Sequence, residues 1–180
     1  MNALRLRPAR SVVPWSVIPT PTVFQRSVLL RAPVEAVYRF HLDPANLARI
    51  SPPGVRLERI EVESPIRVGS RMNLVLRFPG GLRQEWRVEI AVMEPAARLV
   101  DVALQSPFAR WRHEHRFEAV DGGTRMTDRV EYVPAGNQWM RRLMGVLWRP
   151  QLAFLFGWRH WRTRALLEGV LQGKGPRSGP

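Results

Sequence analysis

Two histidines one residue apart, His113 and His115, and a carboxylate further along, Asp128, are the residues of this chain best suited to chemistry. In an extended strand alternate side chains share a face. Trp111, His113, His115 and Phe117 therefore point one way, and Arg110, Arg112, Glu114, Arg116 and Glu118 the other. The next run sorts Met126, Asp128, Val130 and Tyr132 against Arg125, Thr127, Arg129 and Glu131. Asp121-Gly122-Gly123 between the two runs is hairpin-turn chemistry. Its register brings Asp128 to the level of His113 or His115. A carboxylate turned toward an apolar interior costs several kcal/mol unless it is paired. A histidine partner is held in one tautomer and has its pKa raised. Such a group can order the core, orient a ligand, or do acid–base work with His113 or His115 as base and Asp128 orienting it. Two histidines on one face also suit a metal, but no third ligand is visible in the sequence, so no metal and no cofactor is expected.

Other elements add to this wall. The run Gln84–Met93 places Gln84, Trp86, Val88, Ile90 and Val92 on one face and Glu85, Arg87 and Glu89 on the other. Near the C-terminus Leu152, Leu155, Phe156, Thr163, Leu166, Leu167 and Val170 form one helical stripe, with Arg159 inside it. Arg159 either runs its guanidinium to an edge or meets an anion, Asp128 or a ligand group. A second stripe, Phe154, Trp158, Trp161 and Ala165, is read either as packing or as an aromatic surface beside Arg149, Arg162 and Arg164 that suits a membrane interface.

The elements that must position these groups follow a definite order. Val23–Leu30 reads as a strand. Ala32-Pro33 opens a helix with Val34, Val37, Tyr38 and His41 at helical spacing, and Asp43-Pro44 ends it before a second short helix to Ile50. Strands are predicted over Val55–Val62, Arg71–Phe78, Gln84–Met93, Leu99–Leu104, Arg110–Val120 and Arg125–Val133, separated by short turns. Consecutive strands on short loops make an antiparallel meander. Asn137 is a candidate N-cap for a final helix, which Pro150 is predicted to split into segments at about 138–148 and 150–171. The fold class is α+β: a curved antiparallel sheet of six to seven strands around a long C-terminal helix, with two short helices after the first strand and an apolar cavity between sheet and helix.

The chain has 180 residues and 45% hydrophobic residues, enough for one domain with a real core, expected over residues 22–171. Proline-rich residues 1–21 read as a flexible basic segment, and residues 172–180 as a disordered tail. With no cysteine there is no disulfide, thiolate metal site or cysteine nucleophile. The net charge of +13 sits mainly at the ends: +3 over residues 1–21, +3 over residues 22–136, and +7 over residues 137–180. Arginine bias in composition accounts for this, as does a basic surface for an anionic membrane. No apolar run reaches the ~18 residues a membrane span needs, and no signal-peptide core is present. A cytoplasmic protein is expected, peripheral to a membrane at most. Few aromatics are left exposed for base stacking, so no nucleic acid is expected.

These residues resemble a family. Ala32-Pro33-x-Glu35-x-Val37-Tyr38-x-Phe40, ending in Asp43-Pro44-x-Asn46-Leu47, is similar to the opening of the START and polyketide-cyclase superfamily, SRPBCC. Gln105-Ser106-Pro107-Phe108-x-x-Trp111-x-His113-x-His115-x-Phe117, then Gly123-Thr124-x-Met126-x-Asp128-x-Val130-x-Tyr132-x-x-Pro134, and Phe156-x-Trp158-Arg159-His160, resemble a bacterial ligand-binding, cyclase-like group within it. The resemblance covers about residues 22–171 and implies a helix-grip fold. It also implies binding of a hydrophobic or amphipathic small molecule, lipid, quinone or polyketide-like. A cyclase or dehydratase using His113 or His115 with Asp128 is the alternative. The expected ligand wall is Gln84, Trp86, Trp111, His113, His115, Phe117, Asp128, Tyr132, Leu155 and Arg159.

Overall fold

A computed structural model describes residues 20–171. Expectations for residues 1–19 and 172–180 lie outside the described residues. The first strand, β1 (Thr22–Leu30), is followed by two short helices, α1 (Val34–Leu42) and α2 (Ala45–Ile50). Six strands follow: β2 (Arg56–Val62), β3 (Arg71–Arg77), β4 (Arg83–Glu94), β5 (Arg98–Gln105), β6 (Phe108–Val120) and β7 (Gly123–Pro134). The helix α3 (Gln138–Leu171) closes the fold. All neighbouring strands pair antiparallel in the order β1-β7-β6-β5-β4-β3-β2. The helix pair thus carries the chain from one edge of the sheet to the other. Every predicted strand and both short helices are present within a residue or two.

Local chemistry explains the junctions. Pro33 caps α1 in an extended conformation just before the first helical residue, where its missing N–H costs nothing. Asn137 caps α3, its side-chain oxygen accepting from the Met140 N–H at 3.0 Å. Gly123 starts β7 at φ +144°, and a Cβ there would lie 2.1 Å from the Leu30 carbonyl oxygen. Only glycine lets the β6–β7 turn pass so close to the end of β1. Beside it, the Thr124 hydroxyl donates to the Ala32 carbonyl at 2.7 Å.

The predicted split at Pro150 does not occur: α3 runs through it for 34 residues. The helix is pinned on both sides of the proline. The Tyr132 hydroxyl donates to the Gly145 carbonyl at 2.9 Å, Trp148 packs on Phe108 at 4.9 Å, and Leu152 and Phe156 are buried. These contacts hold both turns against the sheet despite one missing backbone bond.

Two apolar clusters flank the middle of the sheet. One joins Leu30, Val37, Tyr38, Ile90, Leu99, Phe117 and Met126. The other joins Phe108, Trp111, Val130, Tyr132, Leu152 and Phe156. Strand β6 supplies Phe117 to the first and Trp111 to the second, so His113 and His115 lie between them. On the opposite face Glu114 is only 1% exposed. Arg112 and Arg116 cover its carboxylate at 2.7 and 2.5 Å, and Arg112 reaches on to Glu131 of β7. Burial opposes its charge, but the two arginines outweigh that and hold its pKa below the ordinary value.

Candidate functional site

Asp128 is the centre of the polar cluster. It pairs with His115 in the β6–β7 register and is 2% exposed. Its Oδ1 accepts from His113 Nε2 at 3.1 Å, and its Oδ2 from His160 Nε2 at 2.5 Å. His115 Nδ1 lies 2.5 Å from Oδ1 without an aligned hydrogen bond. On the far side of His113, Nδ1 faces Oδ2 of Asp101 from β5 at 3.5 Å. His41 of α1 stands against His115 with ring centroids 5.0 Å apart, and its Nδ1–H donates to the Val37 carbonyl at 2.8 Å. All four histidines of the chain therefore meet in one place.

Their environments push them apart electrically. Burial disfavours a charge on His113, but Asp101 and Asp128 on its two nitrogens raise its pKa to about 9. Burial lowers His115, and the charge on His113 lowers it further. Burial and the neighbouring His115 lower His41 to about 3. Burial also opposes the charge on Asp128, yet His115, His113 and His160 together hold it well below the carboxylate range. A protonated His113 thus sits beside a neutral His115 on the same strand face.

These groups open onto a cavity of about 230 Å³ between the sheet, α2 and α3. One part is aromatic, with Trp86 and Trp111 at 5.2 Å and Phe108 against both. Trp86 donates to Gln84 Oε1 at 3.2 Å. Elsewhere the wall holds Asp101, His113, His115, Asp128 and Arg159. Arg159 turns inward, with its guanidinium carbon 5.6 Å from the Phe156 ring centre. Burial lowers its pKa, while Asp128 and Asp101 oppose that. Among the described residues its Nε and the buried Thr163 hydroxyl, one turn on, have no hydrogen-bond partner, and both residues line the cavity.

Eight of the ten residues expected in the wall are there: Gln84, Trp86, Trp111, His113, His115, Asp128, Leu155 and Arg159. Phe117 and Tyr132 are not. Phe117 is taken up by Tyr38, which meets it edge-on at 5.6 Å, and Tyr132 is fully buried with its hydroxyl tied to α3. Asp101, His41 and His160 were missed as site residues. Asp101 shares a strand face with Leu99 and Ala103, but apolar residues on both faces of β5 hide that parity. His41 follows Val34, Val37 and Tyr38 at helical spacing, and His160 lies one turn from Phe156, but that spacing does not say which strand residues those helix faces meet.

A curved sheet folded on one long helix, with a cavity between and convergent polar groups on its wall, defines the helix-grip class of ligand-binding folds. Within that class the chain belongs to the family described as polyketide cyclase / dehydrase and lipid transport, which matches residues 21–155. Solved structures agree on the fold. The di-domain ARO/CYC StfQ from the steffimycin biosynthetic pathway superposes with a TM-score of 0.72 at 13% identity, covering 85% of this chain and 52% of that one. Protein CV1439 from Chromobacterium violaceum gives 0.65 at 20% identity, covering 82% and 99%. TTHA0849 from Thermus thermophilus gives 0.62 at 21% identity, covering 80% and 98%. No curated protein matches the sequence.

Proposed function

We propose that this protein binds a small hydrophobic or amphipathic molecule in the cavity, its apolar body on Trp86, Trp111 and Phe108 and its polar end at His113, His115, Asp128 and Arg159. The observation that carries this is one cavity whose largely apolar wall holds an aromatic group and a cluster of titratable groups. Its size narrows the ligand. Pockets for drug-sized ligands measure roughly 300–1,000 Å³, and an engineered cavity of about 150 Å³ takes benzene. About 230 Å³ suits one or two rings or a short acyl chain. The unpartnered Arg159 Nε and Thr163 hydroxyl favour an acceptor, such as a carboxylate or quinone carbonyl, on that ligand. The test is tryptophan fluorescence titrated with a naphthoquinone and with a medium-chain fatty acid, alongside native mass spectrometry of the purified chain. Saturable quenching that disappears in a cavity-filling Leu155→Trp variant is expected. A folded protein that carries no adduct and binds neither probe sinks the reading.

One observation favours the cyclase or dehydratase alternative. His113 and His115 have pKa values pushed in opposite directions on one wall, as a general acid and a general base require. Loss of water from a bound hydroxylated polyketide fragment, followed by mass, separates the enzyme from the carrier.

The outer face of α3 supports a membrane as the place of exchange. Trp139, Leu143, Val146, Phe154 and Trp161 recur on one exposed stripe opposite the buried one. From residue 137 to 167 the chain has no acid and six arginines. That pattern fits an anionic lipid surface. No helix among the described residues is long and apolar enough to cross a membrane.

A further inference from the structure

The third ligand that sequence spacing did not supply is Asp101. One donor atom each from Asp101, His113 and His115 lies within 4.8 Å of the other two. Asp128 takes Nε2 of His113 and faces Nδ1 of His115. That leaves His113 Nδ1 and His115 Nε2, and His113 Nδ1 is the atom that faces Asp101 at 3.5 Å. Two donors sharing a tetrahedral ion with bonds of about 2.0–2.1 Å stand roughly 3.3–3.4 Å apart, so this pair needs almost no movement. The third donor lies within 4.8 Å of both. We propose that Asp101, His113 and His115 bind one divalent transition-metal ion of the zinc type, with Asp128 as the outer carboxylate that orients both imidazoles.

Several features converge on that assignment. A histidine ligand commonly gives its second nitrogen to a carboxylate, which fixes tautomer and ring direction. Here a single buried carboxylate accepts from His113 and stands 2.5 Å from Nδ1 of His115. Two carboxylates, Asp101 and Asp128, offset a dication, whereas in the metal-free protein they face His113. The donor set of two imidazoles and one carboxylate selects zinc, iron, nickel or copper over magnesium and calcium, which take oxygen. All three ligands line the cavity, so the remaining coordination positions open toward the bound molecule. Arg159 on the same wall leaves the loaded site one positive charge in excess, which suits an anionic oxygen donor. The proposal does not depend on the ligand reading, since an ion can bind in an empty cavity.

The test uses the full chain stripped with a chelator, titrated with Zn²⁺ by calorimetry and with Co²⁺ by visible absorption. One ion per chain and the intense bands of four-coordinate Co²⁺ are expected. With no cysteine and every histidine in this cluster, any imidazole site of the chain lies here. Asp101→Ala and His115→Gln should abolish the bands while the metal-free variants still melt cooperatively. Arg125→Gln, exposed and outside the cavity, should keep them. No saturable uptake by folded wild type, or uptake that survives both ligand substitutions, overturns the site. Should either variant fail to fold, ring-nitrogen NMR of wild type decides. Zn²⁺ must shift His113 and His115, and shifts confined to His41 and His160, or none, refute it.

Discussion

Asp128 works as a hub because three imidazoles converge on two oxygens in a water-poor space. The consequence is a pH profile with two limbs in chelator-treated protein. His113 has its pKa raised from 6.5 to about 9, so its stabilisation is complete below the unfolded value and is lost as pH rises toward 9. That limb is worth on the order of 3 kcal/mol, at ~1.4 kcal/mol per unit of pKa. His41 and His115 are lowered, so below the ordinary histidine value the unfolded chain binds protons that the folded chain refuses, and stability falls with pH. Asp128, depressed by its partners, adds loss at still lower pH. Urea midpoints should therefore peak near the unfolded histidine pKa of 6.5. A midpoint that stays flat from about pH 6.5 to 9 rules out a protonated His113 in the folded state.

Among the elements, the β6–β7 hairpin bears the site, and its turn docks on the end of β1. Gly123 is the tightest point, because a Cβ would strike the Leu30 carbonyl and the backbone φ of +144° disfavours any other residue. Gly123→Ala should cost at least about 1 kcal/mol, and more if the turn lifts from β1. Thermal unfolding measures the loss. Gly122→Ala, at φ +81° with open space around it, separates the two effects, since it carries the backbone strain without the clash. Equal losses in both variants would falsify the close-approach argument. Helix α3 teaches the opposite lesson about local rules. Pro150 removes one backbone bond, yet the buried Leu152 and Phe156 beyond it and the Tyr132 bond before it keep one helix.

For the molecule as a whole, the buried and exposed stripes of α3 face opposite ways: one closes the cavity and the other meets the surroundings. Sedimentation with anionic vesicles should pellet the protein at low salt and release it at high salt, where charge attraction is screened. A Trp139→Ser, Phe154→Ser double variant should lose most of the binding while its unfolding temperature changes little, because both side chains are more than 60% exposed. Protein that stays in the supernatant at low salt removes the membrane from the picture and leaves the cavity reading untouched.

The sequence by itself determined the order of elements, the faces of β4, β6 and β7, and the approach of Asp128 to the level of His113 or His115. Those features rest on a two-residue strand period and a hairpin turn, which are local and cannot slip without exposing Trp111 and Phe117. Only the tertiary structure decided which groups from distant elements join them. Asp101 reaches His113 across a strand pairing, His41 arrives through helix packing, and His160 comes from the far end of the fold. It also took Phe117 and Tyr132 out of the cavity wall and kept α3 whole across Pro150, because neighbours claimed those side chains and pinned that helix. Spacing along a chain specifies which side chains share a face. Which faces meet is set by packing of the whole sheet and its helix, and the candidate site depends on that packing.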